Sequence, residues 1–97
     1  MGATIVGTTL WLTKWSAQEV GTFNPGTNTF TPVFGTSDLA GGLAFDAANS
    51  ILWVGLRGGT VEAWNLDTSP PTLFAGSGVQ PFGAIGDTID GVAFFAD

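Results

Sequence analysis

Short apolar runs recur along the whole chain, and turn-forming residues separate them. The runs are rich in Val, Ile, Leu, Thr, Phe and Trp, which favour β-strands, and their breaks contain turns such as Asn24-Pro25-Gly26. No apolar face recurs at helical spacing over three turns. The pattern therefore predicts an all-β chain with strands near residues 8–14, 18–24, 28–34, 41–46, 50–56, 60–66, 72–75 and 90–95.

The chain also repeats itself, with aromatic residues aligned on aromatic residues. We interpret it as repeat one over about 8–40, repeat two over about 41–89 and a strand at 90–95 that resembles the start of a further repeat. Aromatic positions kept in both copies are predicted to lie in the core. The aligned blocks are Thr9–Lys14 with Ile51–Leu56, Val20–Asn24 with Val61–Asn65, Phe34 with Phe74, and Gly42–Phe45 with Gly91–Phe94.

A repeat of about 40–45 residues with four short antiparallel strands is typical of a β-propeller blade. The strands at Leu10-Trp11-Leu12 and Ile51-Leu52-Trp53-Val54 are continuously apolar, as expected for strands covered on both faces by neighbouring blades. Strands of a two-sheet sandwich alternate between apolar and polar residues. The sequence favours the propeller, and the sandwich is the alternative.

Several segments resemble blades of the streptogramin (virginiamycin B) lyase propellers and of the NHL and YVTN-type propellers. They are Leu10–Trp15, Val20–Pro25 and Phe30–Phe34, with Gly42–Asp46 similar to the innermost strand of such a blade. The resemblance covers nearly the whole chain and implies the fold. The lyases have a full ring of blades in one chain, and their chemistry resembles general-base catalysis with a His and a metal. This sequence contains no His, so no catalytic residue carries over.

Composition indicates that other copies of the chain cover part of its surface. Only 10% of the 97 residues are charged, against roughly 25% in an average soluble domain. A chain this short has a marginal core, and without Cys or His it lacks disulfides and the usual zinc sites. A net charge of −6 disfavours nucleic acid as a partner, and no apolar run approaches the ~20 residues of a membrane span.

We therefore predict a cyclic homo-oligomer. On this interpretation the chain begins at the second strand of its first blade, and its last strand completes the first blade of the next copy. Three chains would give six blades and four would give eight; the trimer is favoured. The predicted oligomer interface consists of Leu10, Trp11, Leu12, Gly91, Val92, Ala93, Phe94 and Phe95.

The chain offers few candidates for catalysis or metal binding. Asp87 and Asp90 lie close in sequence, and Asp38 occupies the comparable loop of the first repeat, so a carboxylate pair could act in acid–base catalysis on a glycosidic bond. Asp87 and Asp90 could also bind calcium, but the loop lacks the spacing of a calcium motif, and these residues more simply supply turn-forming side chains. We predict no enzyme activity, no catalytic residue, no metal and no cofactor.

Four residues are candidates for binding. Trp15 and Phe82 have no aromatic counterpart in the other repeat, so either could stack on a sugar or contact a protein. Lys14 and Arg57 occupy similar turns and could bind an anion or meet a carboxylate such as Glu19 or Glu62. The predicted function is a non-catalytic, self-assembling structural or protein-interaction module, such as a coat or decoration protein of a larger assembly or an engineered propeller fragment. The alternatives are a lectin-like, carbohydrate-binding propeller and, with less support, a lyase-like enzyme.

Overall fold

Two antiparallel four-stranded sheets make up the fold of the computed structural model, which describes residues 2–74 except for the side chain of Trp15. Each sheet is a meander, with its strands in chain order. A 3-10 turn, Trp15–Ala17, follows the second strand. The first sheet contains β1 (Ala3–Val6), β2 (Thr9–Lys14), β3 (Glu19–Asn24) and β4 (Thr29–Gly35), and the second contains β5 (Ala40–Asp46), β6 (Ile51–Leu56), β7 (Val61–Asn65) and β8 (Thr72–Leu73).

The all-β prediction is confirmed, and β2 to β8 begin within about a residue of their predicted positions. β1 was not predicted. It is short, and it returns into β2 through a two-residue turn in which Gly7 has φ 63°. The predicted strand at 90–95 lies outside the described residues.

The expectation that the first unit lacks its first strand is wrong. β1 pairs with β2 from Ala3 opposite Leu12 to Val6 opposite Thr9. The edge of β2 that was expected to receive residues 90–95 of another copy is therefore occupied by a strand of the same chain.

Strand register supports the alignment of Thr9–Lys14 with Ile51–Leu56 and of Val20–Asn24 with Val61–Asn65, and the block Gly91–Phe94 lies outside the described residues. Leu10 pairs with Phe23 in the first sheet, and Leu52 pairs with Trp64 at the same place in the second. The turns after β3 and β7 also match, because the backbone N–H two residues beyond Asn24 or Asn65 donates to the Asn Oδ1 at 2.9 Å in each case. These are Asx turns at equivalent positions.

The alignment of Phe34 with Phe74 is wrong. Phe34 pairs with Val20, whereas the backbone N–H of Phe74 donates to Ala63, which places Phe74 nearer the position of Thr31. A bulge in β4 displaces Phe34 along its strand. Their environments differ accordingly: Phe34 is buried in the core and Phe74 is 39% exposed.

The main hydrophobic core lies between the two sheets, where β1 and β2 pack on β5. The ring of Phe34 stacks on that of Trp64, with 4.0 Å between ring centroids, and lies 6.4 Å from that of Trp11. Aromatic pairs in this range contribute beyond simple apolar burial. The Phe34–Trp64 stack therefore joins an edge strand of the first sheet to the second sheet.

Candidate interaction surface

The face of the first sheet that points away from the second sheet is almost entirely apolar. Because side chains alternate along a strand, the strand register assigns each residue to a face. Trp11, Val20 and Phe34 belong to the core, so the residues of opposite parity lie on the other side. We call this side the outer face; it consists of Ala3, Ile5, Leu10, Leu12, Gly21, Phe23, Phe30 and Pro32.

These residues form two rows across the four strands. One row runs from Ile5 through Leu10 and Phe23 to Phe30, with each residue directly opposite the next. Directly opposed aromatic and aliphatic side chains make a continuous apolar surface. Ile5 is 64% exposed at the β1 edge, and the other three are half-buried.

The second sheet carries the same arrangement on the face that the first sheet covers. Leu52 occupies the position of Leu10 and Val54 that of Leu12, according to the register of the two sheets. Leu52 and Val54 have 0% exposure, whereas Leu10 and Leu12 are only half-buried. Leu52 and Val54 are thus more buried than Leu10 and Leu12 because the first sheet of the same chain covers their face.

Lys14 lies at the rim of the outer face. Its Nζ is 5.7 Å from the centre of the Phe30 ring, within the range of a cation–π contact. Glu19 is opposite Lys14 across the β2–β3 pair, but no salt bridge joins them. The rim of this apolar face is therefore polar and carries both charges.

Arg57 forms a salt bridge with Asp38, with 2.9 Å between Nη2 and Oδ1. Neither Glu19 nor Glu62 is its partner in the described part of the chain. The Arg57 and Asp38 side chains are 55% and 34% exposed, and an ion pair this accessible contributes less than about 1 kcal/mol. Asp38 Oδ1 also accepts a hydrogen bond from the backbone N–H of Leu39. The pair therefore links Arg57, at the end of β6, to the connection between the sheets but adds little stability.

The two buried carboxylates of residues 2–74 have structural hydrogen bonds. Asp46 accepts from the backbone N–H groups of Ala48 and Asn49 and from the Asn49 side chain, which closes the β5–β6 turn. Glu62 accepts from Ser37 Oγ at 2.9 Å and from Trp64 Nε1 at 3.1 Å. Glu62 thereby orients the indole that stacks on Phe34.

Of the remaining predicted site residues, Trp11 lies in the core, and those beyond residue 74 lie outside the described residues. Trp11 is buried in the core, and both backbone edges of β2 are used by β1 and β3. Phe82 lies outside the described residues, as do Asp87, Asp90 and the predicted interface strand Gly91, Val92, Ala93, Phe94 and Phe95.

A groove of about 550 Å³ opens at the other end of the first sheet from Lys14. No charged side chain lines it, and threonine hydroxyls dominate its walls. The sequence pattern does not predict this groove, because its lining residues come from two separate turns and three strands. Its lining includes Thr9, Thr22, Phe23, Asn24, Thr29 and Thr31.

No family model, curated protein or solved structure matches this chain. The resemblance to the lyase and related propellers therefore stays a prediction. Residues 2–74 contain no cluster of His, Cys, Asp and Glu that could hold a metal ion. None of the helical segments in that range is long and apolar enough to cross a bilayer.

Proposed function

We propose that this protein is a non-catalytic structural module whose copies assemble, sheet against sheet, into a closed β-propeller ring. The observation that carries the proposal is the apolar outer face of the first sheet, at whose edge Ile5 is 64% exposed. A contiguous apolar surface of this kind is typical of an interaction site on a small protein. The equivalent face of the second sheet is buried by the first, so the chain already contains one example of the contact.

The meander order and the packing of the two sheets support the propeller form. Each sheet begins at one edge and ends at the other, and only residues 36–39 connect β4 to β5. β1 and β2 of the first sheet contact β5, the first strand of the second. Radially arranged four-stranded sheets with their first strands near a common axis make a propeller, which closes with about four to eight sheets. Three copies would provide six sheets.

The side-chain inventory supports a role without catalysis. The sequence has neither Cys nor His, which removes thiol and histidine-based nucleophilic chemistry. The buried carboxylates Asp46 and Glu62 are held by turn and tryptophan N–H groups. The described polar groups thus act in positioning strands and rings.

The test is the oligomeric state of the wild type and of Ile5→Lys, measured by native mass spectrometry and light scattering. Ile5 lies at an exposed edge of the outer face, so a lysine there leaves the core intact and places a charge in the proposed joint. Wild type should form a closed oligomer and Ile5→Lys a folded monomer. Ala47→Lys adds the same charge in the exposed β5–β6 turn and should assemble as wild type does. A wild-type monomer at micromolar concentration would refute the proposal.

Carbohydrate binding is the second candidate function, and the threonine-lined groove is the observation that favours it. Neutral hydroxyl groups beside the aromatic Phe23 suit a sugar, whose polar edge accepts and donates hydrogen bonds. A glycan array with wild type, Thr22→Val and Trp15→Ala separates the two possible locations. Loss of binding in Thr22→Val alone would place the sugar in the groove, and loss in Trp15→Ala alone would place it at the 3-10 turn. An array without any bound glycan would exclude this function.

A further inference from the structure

We infer that the outer face of the first sheet receives the second sheet of another copy, in a head-to-tail joint that repeats the packing inside the chain. This inference rests on the proposed self-assembly and adds its polarity. The docking surface is the side of the second sheet that points away from the first, which we call the far face. Its apolar residues are Ala44, Ile51, Trp53, Val61 and Ala63, of which Ala44 and Ala63 are buried, and Asp46 and Asn65 lie on the same side at one end.

The far face is the counterpart of the first-sheet face that forms the intramolecular core. Trp53 occupies the position of Trp11, and Val61 that of Val20, according to the strand register. Trp11 and Val20 belong to the cluster that packs on the second sheet. The far face therefore presents a tryptophan and a valine at two positions that the first sheet uses in the core, while the counterpart of Phe34 lies outside the described residues.

The outer face, which would receive the far face of another copy, resembles the face of the second sheet that the first sheet packs on. Inside the chain, the corresponding row runs from Phe45 through Leu52 and Trp64 to Leu73. Leu52 is fully buried, Phe45 and Trp64 are half-buried, and Leu73 at the β8 edge is 44% exposed. The outer face presents Ile5, Leu10, Phe23 and Phe30 at the same positions. Every position is apolar in both rows. One chain thus carries both surfaces of the proposed joint, the outer face on the first sheet and the far face on the second.

Two complementary faces on one chain produce a heterologous contact, which gives a ring if the rotation between copies closes and an open filament if it does not. A two-fold joint between two outer faces would use only the first sheet and would stop at a dimer. The repeat favours the first arrangement, because it supplies a different surface to cover each face. Trp53 and Val61 are half-buried in the single chain, and we expect both to become more protected on assembly.

The test uses Ile5→Lys, which alters the receiving face, and Val61→Lys, which alters the docking face. Head-to-tail assembly predicts that each variant alone is monomeric. An equal mixture should form a heterodimer and nothing larger, because only one intact joint remains between the two chains. A joint between outer faces predicts instead that Val61→Lys assembles as wild type does, into a dimer, which would overturn the polarity and the closed ring while leaving self-assembly in place. A monomeric wild type would refute the proposed function itself.

A second measurement avoids any dependence on the folding of Val61→Lys. Hydroxyl-radical footprinting of wild type and of monomeric Ile5→Lys compares the oxidation of Phe23 on the outer face with that of Trp53 on the far face. Protection of both residues in the wild-type assembly supports the head-to-tail joint. Protection of Phe23 alone overturns it.

Discussion

Thr13 joins the two sheets through its side-chain hydroxyl. Its Oγ1 accepts a hydrogen bond from the backbone N–H of Gly2 at 2.8 Å and donates one to the backbone oxygen of Gly41 at 2.9 Å. All three residues are buried. A Cβ on Gly2 would collide with the backbone of Gly41, so glycine permits this close approach. A single hydroxyl thus connects β2, the segment before β1 and the start of β5.

Replacing Thr13 by Val should destabilise the chain by about 1–3 kcal/mol, because a buried N–H and a buried carbonyl lose their partner. The change keeps the side-chain volume, so the loss is specific to the hydroxyl. Urea unfolding followed by tryptophan fluorescence measures it. Thr13→Ser retains the hydroxyl and should recover most of the stability. Equal stability of Thr13→Val and wild type would show that this bridge is dispensable.

The β3–β4 hairpin contains a bulge. The register shifts between Val20 and Gly21, and this brings the backbone of β4 against Gly21. A Cβ at Gly21 would lie 2.8 Å from Pro32 Cα and closer still to the backbone oxygen of Thr31. The equivalent position in β7 holds Glu62, whose side chain is hydrogen-bonded.

Gly21→Ala should therefore cost about 1–3 kcal/mol, since the added methyl group forces two strands apart. Gly35→Ala is the matched control. Its Cβ would be 3.7 Å from Gln18 O, an ordinary contact, and its unfolding free energy should stay within about 0.5 kcal/mol of wild type. Chemical denaturation of both variants measures the difference. The bulge would be less constrained than we describe if the two changes had equal effects.

The complete chain combines an acidic net charge of −6 with an apolar outer face. Like-charged copies repel each other, while the proposed joint contributes no ion pair from its central rows. Salt screens repulsion between exposed charges, with a Debye length of about 10 Å at about 0.1 M. Charge repulsion and apolar burial therefore oppose each other in assembly.

Raising sodium chloride from about 0.05 M to about 0.5 M should tighten assembly, by about 3- to 10-fold in the dissociation constant. Sedimentation velocity over a concentration series measures this effect. Weaker assembly at high salt would mean that ion pairs, such as those available to Lys14 and Glu19, dominate the joint.

Much of the fold could be predicted because local patterns carry it. Apolar runs and turn residues located β2 to β8, and the repeat alignment placed Asn24 and Asn65 at equivalent positions. β1 was missed because a four-residue strand beside a glycine turn carries little local signal. The sequence predicted the outer face only in part. Leu10 and Leu12 were predicted at the interface because they belong to one continuous apolar run. Ile5, Phe23 and Phe30 were not, because they lie on three other strands.

The amino-acid sequence alone determined the strand content, the two-fold repeat and the inventory of reactive groups, because each depends on neighbours along the chain. Only the tertiary structure decided that Phe34 stacks on Trp64, that Arg57 pairs with Asp38, and that β1 completes the first sheet. It also decided which of two equivalent apolar faces is covered. Leu10 and Leu52 are both leucines at equivalent positions of their sheets. They differ in burial only because another sheet packs on Leu52 and not on Leu10.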